Sequence, residues 1–308
     1  MKQIRIASRG SKLALIQTDL VRKLLDNISP NSNCSIIKVT TKGDRDKSDF
    51  LYQSGSVGFF TSEVENALLD GRADLAVHSL KDMPTLLRKG LIVAAIPKRK
   101  SPADALVAGE KVASIKELPS GATIGTSSLR RIAQLKMIRD DIQCVPLRGN
   151  VETRIKKVDA GQIDAIIIAC AGLKRLGLED KISAVLPPTE FIPAPAQGAL
   201  AVQIRAEDRE LYDLVSQIDD KNSRITVETE RYVLETLHGG CSIPLGVYSQ
   251  IQGETIKIDA ILCDIDGKNY IRLSATSSID QAKTNAKKLA MQLLADGGED
   301  ILTKIRKI

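Results

Sequence analysis

"ATIGTSSLRRIAQLKMIRDDIQCVPLRGNVETRIKKVDAG", residues 122–161, states one pattern twice. A short apolar run, ATIGTSS (122–128), closes on hydroxyl residues, and LRRIAQLKMIRD (129–140) follows with apolar residues at helical spacing. A second strand-like run, IQCVPLRG (142–149), leads into NVETRIKKVDAG (150–161), again with a helical period. AIIIAC (165–170) supplies the next strand. Strands alternating with helices predict an α/β fold, in which ligands bind at the carboxyl ends of the strands.

The same alternation extends outward. IRIASR (4–9) reads as a strand, SKLALIQTDLVRKLLD (11–26) as a helix with Ser11 as its N-cap, and SIIKVTT (35–41) as a strand. GDRDKSDFLYQSGSVG (43–58) has no sustained period and reads as a long loop. A helix at 60–69 and the strands DLAVHSL (74–80) and LIVAAIP (91–97) come next. KRKSPAD (98–104) reads as a linker. LPPTEFIPAPAQG (186–198), rich in proline, marks a second hinge before the strand ALAVQIR (199–205). From about residue 220 the pattern changes to a helix, three strands and a long helix at 279–295, an α+β arrangement.

Composition narrows the function classes. A chain of 308 residues is long enough for two or three domains. Its start, MKQIRIASRG, is polar and becomes strand-like at once, so no leader is expected. No apolar run approaches the roughly 18–20 residues of a membrane span. The five cysteines (34, 144, 170, 241, 263) are odd in number and include no CxxC, which points to reduced thiols in a cytoplasmic protein. Two histidines argue against a multi-histidine metal site, and no metal is expected. The net charge of +6 admits nucleic acid as a partner, but tryptophan is absent and Phe plus Tyr number nine, too few for stacking platforms.

One local pattern recurs where strands give way to helices. Arg9-Gly10-Ser11 closes one strand and Arg148-Gly149-Asn150 another. GTSSLRR places Ser127 or Ser128 as a cap, with Arg130 and Arg131 in the first turn. ACAGLKR puts Lys174 and Arg175 at a similar turn. A cation at a helix N-terminus opposes the helix dipole by roughly 0.3–1 kcal/mol. Four such turns point to several carboxylates or phosphates held in one cleft. The alternative is that each arginine faces solvent or pairs with an acid across its domain.

Two further stretches carry chemistry. DLAVHSLKDMP (74–84) delivers His78, Lys81 and Asp82 to a turn. Asp82 could place a carboxylate beside developing positive charge. It could equally cap a short helix opening at Met83-Pro84, and His78 could be a satisfied core residue. LHGGCSIPLG (237–246) presents Cys241 on a glycine turn, whereas Cys170 sits in an apolar run as a structural cysteine does. Cys241 is either a nucleophilic thiolate or a small buried hydrophobe.

The chain resembles the porphobilinogen deaminase family over nearly its whole length. The resemblance rests on IRIASRGSKLAL, VHSLKDMP, IGTSSLRRIAQL, PLRGNVETRIKK, ACAGLKRLG, PAPAQGALAVQIR and LHGGCSIPLG, in that order. It implies a dipyrromethane cofactor joined by a thioether to Cys241 and used as primer. Four porphobilinogen molecules would be added head to tail with loss of ammonia, and water would release hydroxymethylbilane for heme biosynthesis. By motif matching, Asp82 is catalytic, and Lys81, Thr126, Ser127, Ser128, Arg130 and Arg131 hold the cofactor. Arg9, Ser11, Arg148, Gly149, Asn150, Arg154 and Arg175 hold substrate, whose acetate and propionate suit the guanidinium fork.

The implied fold has three domains. Residues 1–97 with 198–217, and residues 103–192, form doubly wound domains like those of periplasmic binding proteins, and 220–308 form a small α+β domain carrying Cys241. A cytoplasmic monomer is expected, with a small-molecule substrate and no nucleic-acid or membrane partner. One departure stands out: the family commonly reads GKGLFTKE where this chain reads SVGFFTSE (56–63), so Val57 and Ser62 replace lysines. Three competing readings lack support. A solute-binding protein would be exported, a LysR-like effector domain would follow a helix-turn-helix, and a cysteine hydrolase near His238 would need an oxyanion-hole motif.

Overall fold

The computed structural model describes residues 3–30, 33–41, 61–110, 112–237 and 243–305. The whole of the stretch 43–58 read as a long loop, with Val57, and residues 238–242, with His238 and Cys241, lie outside these residues.

The chain opens with β1 (Ile4–Arg9), α1 (Lys12–Ile28), β2 (Cys34–Val39), α2 (Ser62–Leu69), β3 (Leu75–Ser79) and β4 (Leu91–Ala95). Next come β5 (Asp104–Ala108), β6 (Thr123–Gly125), α3 (Leu129–Ile138), β7 (Gln143–Val145), α4 (Val151–Asp159), β8 (Ala165–Ala169), α5 (Cys170–Leu176) and β9 (Ala184–Leu186). The remainder is β10 (Leu200–Arg205), α6 (Arg209–Val215), α7 (Lys221–Thr236), β11 (Leu245–Gln252), β12 (Thr255–Cys263), β13 (Tyr270–Ser278), α8 (Ala282–Leu293) and α9 (Glu299–Ile305).

The first sheet has the order β2-β1-β3-β10-β4 and the second β7-β6-β8-β5-β9. Both are doubly wound. In each, four strands run in one direction and the fifth, β10 or β5, runs antiparallel between its two neighbours. The antiparallel strand is in both cases the one that follows a hinge. β5, "DALVA", is a strand inside what the sequence reads as the end of a linker and the start of a new series; it is five residues long and buried along most of its length, so no alternation announces it.

Two compact units result. One takes the residues up to Lys100 and then Gly198–Arg224, apart from the loop; the other takes Ser101–Gln197 and Ile225 onward. In the first, α1 turns Val21 and Leu25, one helical turn apart, into a core with Ile6, Leu75, Val202 and Ile204. In the second, Leu106, Ile124, Leu135 and Ile167 form the corresponding core. This unit also contains the antiparallel sheet β11-β12-β13, covered by α8. Ile261 and Cys263 of β12 pack on Ala133 of α3. Gly267 has φ +69 and lies so close to the α3 backbone that a Cβ would sit 2.5 Å from the Ala133 carbonyl oxygen, so no other residue fits there.

Candidate active site

In the first unit β1 ends at Arg9, and Ser11 caps α1 by accepting a hydrogen bond from the Ala14 amide at 3.3 Å. β3 leads directly into a single 3₁₀ turn, Leu80–Asp82. Leu80 and Met83 are each 1% exposed, and Leu80 N–H donates to the Ala199 carbonyl oxygen at 3.1 Å. Residues three apart eclipse in such a turn, so burying these two leaves Lys81 and Asp82 half-buried on the other side. Met83 is extended, with φ −85 and ψ 139, and no helix opens there. The structural alternative for Asp82, a helix cap, is therefore excluded.

His78 is 6% exposed, and its Nε2 has no hydrogen-bond partner. Burial pulls its imidazole down to about 4, a hydrogen bond with Gln203 opposes this, and the charge of Arg9 adds to it. It is a neutral core histidine in the main, set near Arg9.

In the second unit the turn after β6 is braced on the segment after β7. Thr126 N–H donates to the Val145 carbonyl oxygen at 2.9 Å, and its Oγ1 accepts from Ser128 N–H at 3.2 Å. The Ser127 hydroxyl accepts from Leu147 N–H at 3.0 Å and donates to the Leu147 carbonyl oxygen at 3.2 Å. Ser127 is thus a brace, and its only hydroxyl proton is engaged. Ser128 is the N-cap residue of α3 by its backbone, and its hydroxyl makes no cap bond.

Arg130 and Arg131 are the second and third residues of α3 and are 4% and 8% exposed. Both meet Asp104, which is wholly buried at the start of β5: Nη2 of Arg130 lies 2.9 Å from Oδ2, and Nη2 of Arg131 lies 2.7 Å from Oδ1. Arg130 Nη1 donates to the Ile192 carbonyl oxygen and Arg131 Nη1 to that of Ile167, each at 2.9 Å. The Arg130 guanidinium also stands 5.8 Å from the centre of the Phe191 ring. Burial lowers the Arg130 guanidinium from its ordinary value; Asp104 opposes that shift, and the like charge of Arg131 adds to it. For these two residues the expected alternative, an acid across the domain, is present. One carboxylate against two guanidiniums nevertheless leaves a positive charge, and Nε of each arginine is buried without an acceptor.

Arg148 precedes Gly149, whose φ of +108 requires glycine. The Nε of Arg148 is likewise buried without an acceptor. Asn150 caps α4 by accepting from Thr153 N–H at 2.8 Å, and Arg154 Nε donates to the Gly149 carbonyl oxygen at 2.8 Å. Arg175 corrects one expectation. It and Lys174 lie in the last turn of α5, not the first, where a cation suits the dipole. Burial brings the Arg175 guanidinium down to about 10, still cationic at neutral pH.

Sequence reading missed Asp104 and Gln197, whose Nε2 donates to Asp104 at 3.0 Å and to the Pro102 carbonyl oxygen at 2.8 Å. An acid opening an apolar run was the available signal. Among the described residues no group of three or more His, Cys, Asp or Glu could hold a metal, and no helix is long and apolar enough to cross a membrane.

Two doubly wound α/β sheets, with buried guanidinium Nε groups that lack an acceptor at the strand-to-helix turns of the second, define a protein of the α/β class with a basic candidate site. The family model described as "Porphobilinogen deaminase, dipyromethane cofactor binding domain" matches residues 4–213, and "Porphobilinogen deaminase, C-terminal domain" matches 224–295. Curated relatives named porphobilinogen deaminase include one from Maridesulfovibrio salexigens, 43% identical over 99% of each chain, and one from Syntrophomonas wolfei, 43% identical over 100% of each. Among solved structures, the substrate binding domain of a putative molybdenum ABC transporter from Clostridium difficile overlaps 74% of this chain and 96% of its own, at 10% identity and TM-score 0.45. The chain belongs to the porphobilinogen deaminase family. It is an enzyme, a transferase of tetrapyrrole and heme biosynthesis that uses a dipyrromethane cofactor.

Proposed function

We propose that this chain condenses four porphobilinogen molecules, head to tail, onto a dipyrromethane primer held by Cys241, and releases hydroxymethylbilane. The observation that carries this reading is the set of three buried Nε donors without acceptors, on Arg130, Arg131 and Arg148. Such donors cost stability unless a ligand completes them, and acetate and propionate carboxylates are the matching acceptors. The residues present therefore fit the cofactor. When bound, it supplies the free pyrrole α-carbon onto which each new unit is joined.

The chain's own residues divide the work. The Cys241 thiolate tethers the primer, and Arg130 and Arg131, with Lys81, Thr126 and Ser128, hold its carboxylates, with Ser127 bracing the turn. Arg9, Ser11, Arg148, Arg154 and Arg175 hold the incoming porphobilinogen, with Gly149 and Asn150 shaping the turn. In each addition the substrate's aminomethyl C–N bond breaks and ammonia leaves. Loss of ammonia leaves positive charge on the substrate's pyrrole nitrogen, and the Asp82 carboxylate would stabilise it there and as the unit is joined to the primer.

The residues act from three domains, 1–97 with 198–217, 103–192 and 220–308, in a cytoplasmic monomer that needs no nucleic acid, membrane or metal. Ammonia stoichiometry tests the reading. Incubation of the enzyme with porphobilinogen should release four ammonia molecules for each hydroxymethylbilane formed. Consumption of porphobilinogen without ammonia, or its binding without consumption, contradicts it.

A further inference from the structure

The mechanism leaves Asp104 without a task. It is wholly buried, and a buried carboxylate carries a desolvation penalty of several kcal/mol that its partners must offset. Packing of β5 gives no reason for it, since the four residues that follow are apolar. Its position does. β5 runs antiparallel to β8 and pairs Asp104 with Ala169, the last residue of that strand. A strand of opposite sense thereby delivers its first residue to the carboxyl edge of its parallel neighbours, where α/β folds hold ligands.

Two guanidiniums side by side at a helix start repel each other and oppose the dipole. Asp104 takes one Nη2 from each, and the Ile192 and Ile167 carbonyl oxygens take the Nη1 groups. Four contacts hold both guanidinium planes, and the two Nε atoms are the guanidinium nitrogens left without an acceptor. Gln197 Nε2 also donates to Asp104, at 3.0 Å, to the Oδ1 that Arg131 meets.

Resting on the cofactor reading above, we infer that Asp104 is a positioning residue for primer assembly: it orients Arg130 and Arg131 and reduces their joint charge to one, so that their Nε groups receive a carboxylate of the cofactor. It touches neither the cofactor nor the reacting atoms. A wholly structural Asp104 would stabilise the fold and leave assembly unchanged.

The test is the rate at which apo-protein acquires the adduct from porphobilinogen, followed by intact mass well below the melting temperature. Asp104→Asn keeps the shape and removes the charge. It should slow adduct formation at least tenfold in protein that is folded by circular dichroism, and Asp104→Glu should recover part of the rate. A wild-type rate in folded Asp104→Asn, whatever its melting temperature, overturns the inference. If Asp104→Asn does not fold, Asp104→Glu decides. It keeps the pairing charge and shifts it by one methylene, so a loading rate reduced several-fold supports positioning and a wild-type rate overturns it. Wild-type protein that never acquires an adduct would instead overturn the proposed function, so the two failures are distinguishable.

Discussion

Asp82 is the residue on which the proposed chemistry turns. It is held half-buried by the flanking Leu80 and Met83, and no helix follows it to be capped. A unit charge about 4 Å from a developing cation interacts by roughly 4 kcal/mol at an effective dielectric near 20. Loss of about 3 kcal/mol would slow the step about a hundredfold. Asp82→Asn should therefore nearly abolish turnover while the circular dichroism spectrum stays unchanged, and Asp82→Glu should retain partial activity. Steady-state rates of the two variants check this, and a near-normal rate for Asp82→Asn would end the electrostatic account. At this scale the sequence was legible in part. Arg130 and Arg131 were visible because cations at a helix start break a local rule. Their partner was not, because Asp104 stands 27 residues before Arg131 and only the folded sheet joins them.

Among the elements, β3 couples stability to pH through His78. Its folded pKa, about 4, lies below the unfolded value near 6.5, so folding expels a proton in that window. Stability from this group is fully present above pH 6.5 and falls as pH drops toward 4, by roughly 3 kcal/mol at about 1.4 kcal/mol per pKa unit. Denaturant titrations between pH 7 and 4 should show a slope that His78→Gln flattens. Equal slopes in both proteins would place the histidine in contact with solvent. Helices with clear caps, such as α1 behind Ser11 and α4 behind Asn150, were legible from sequence. β5 and β9 were not: β5 is five residues long and buried along most of its length, and β9, a three-residue edge strand, is too short to show a period. The short α5 also defeated the turn argument for Arg175: seven residues put a site near the middle of the motif into the last turn.

For the whole molecule, the alternation of strand and helix was enough to foresee two α/β series and an α+β tail. It did not reveal that β5 and β10 fill the same antiparallel place in their two sheets, since strand order depends on pairings distant in sequence. The two sheets share one topology, and each brings its basic turns to the carboxyl ends of its parallel strands. Buried guanidinium donors are thereby fixed before any ligand arrives, which lowers the ordering cost of holding a polycarboxylate. The central claim is that such a ligand is covalently part of the enzyme. Intact mass of the native protein measures that directly. The account predicts a stable excess of two pyrrole units that maps to Cys241 and is absent from Cys241→Ser, because a serine hydroxyl stays protonated near neutral pH. The unmodified mass after exposure to porphobilinogen, a full adduct on the serine variant, or an adduct on Cys34 or Cys263 would contradict it.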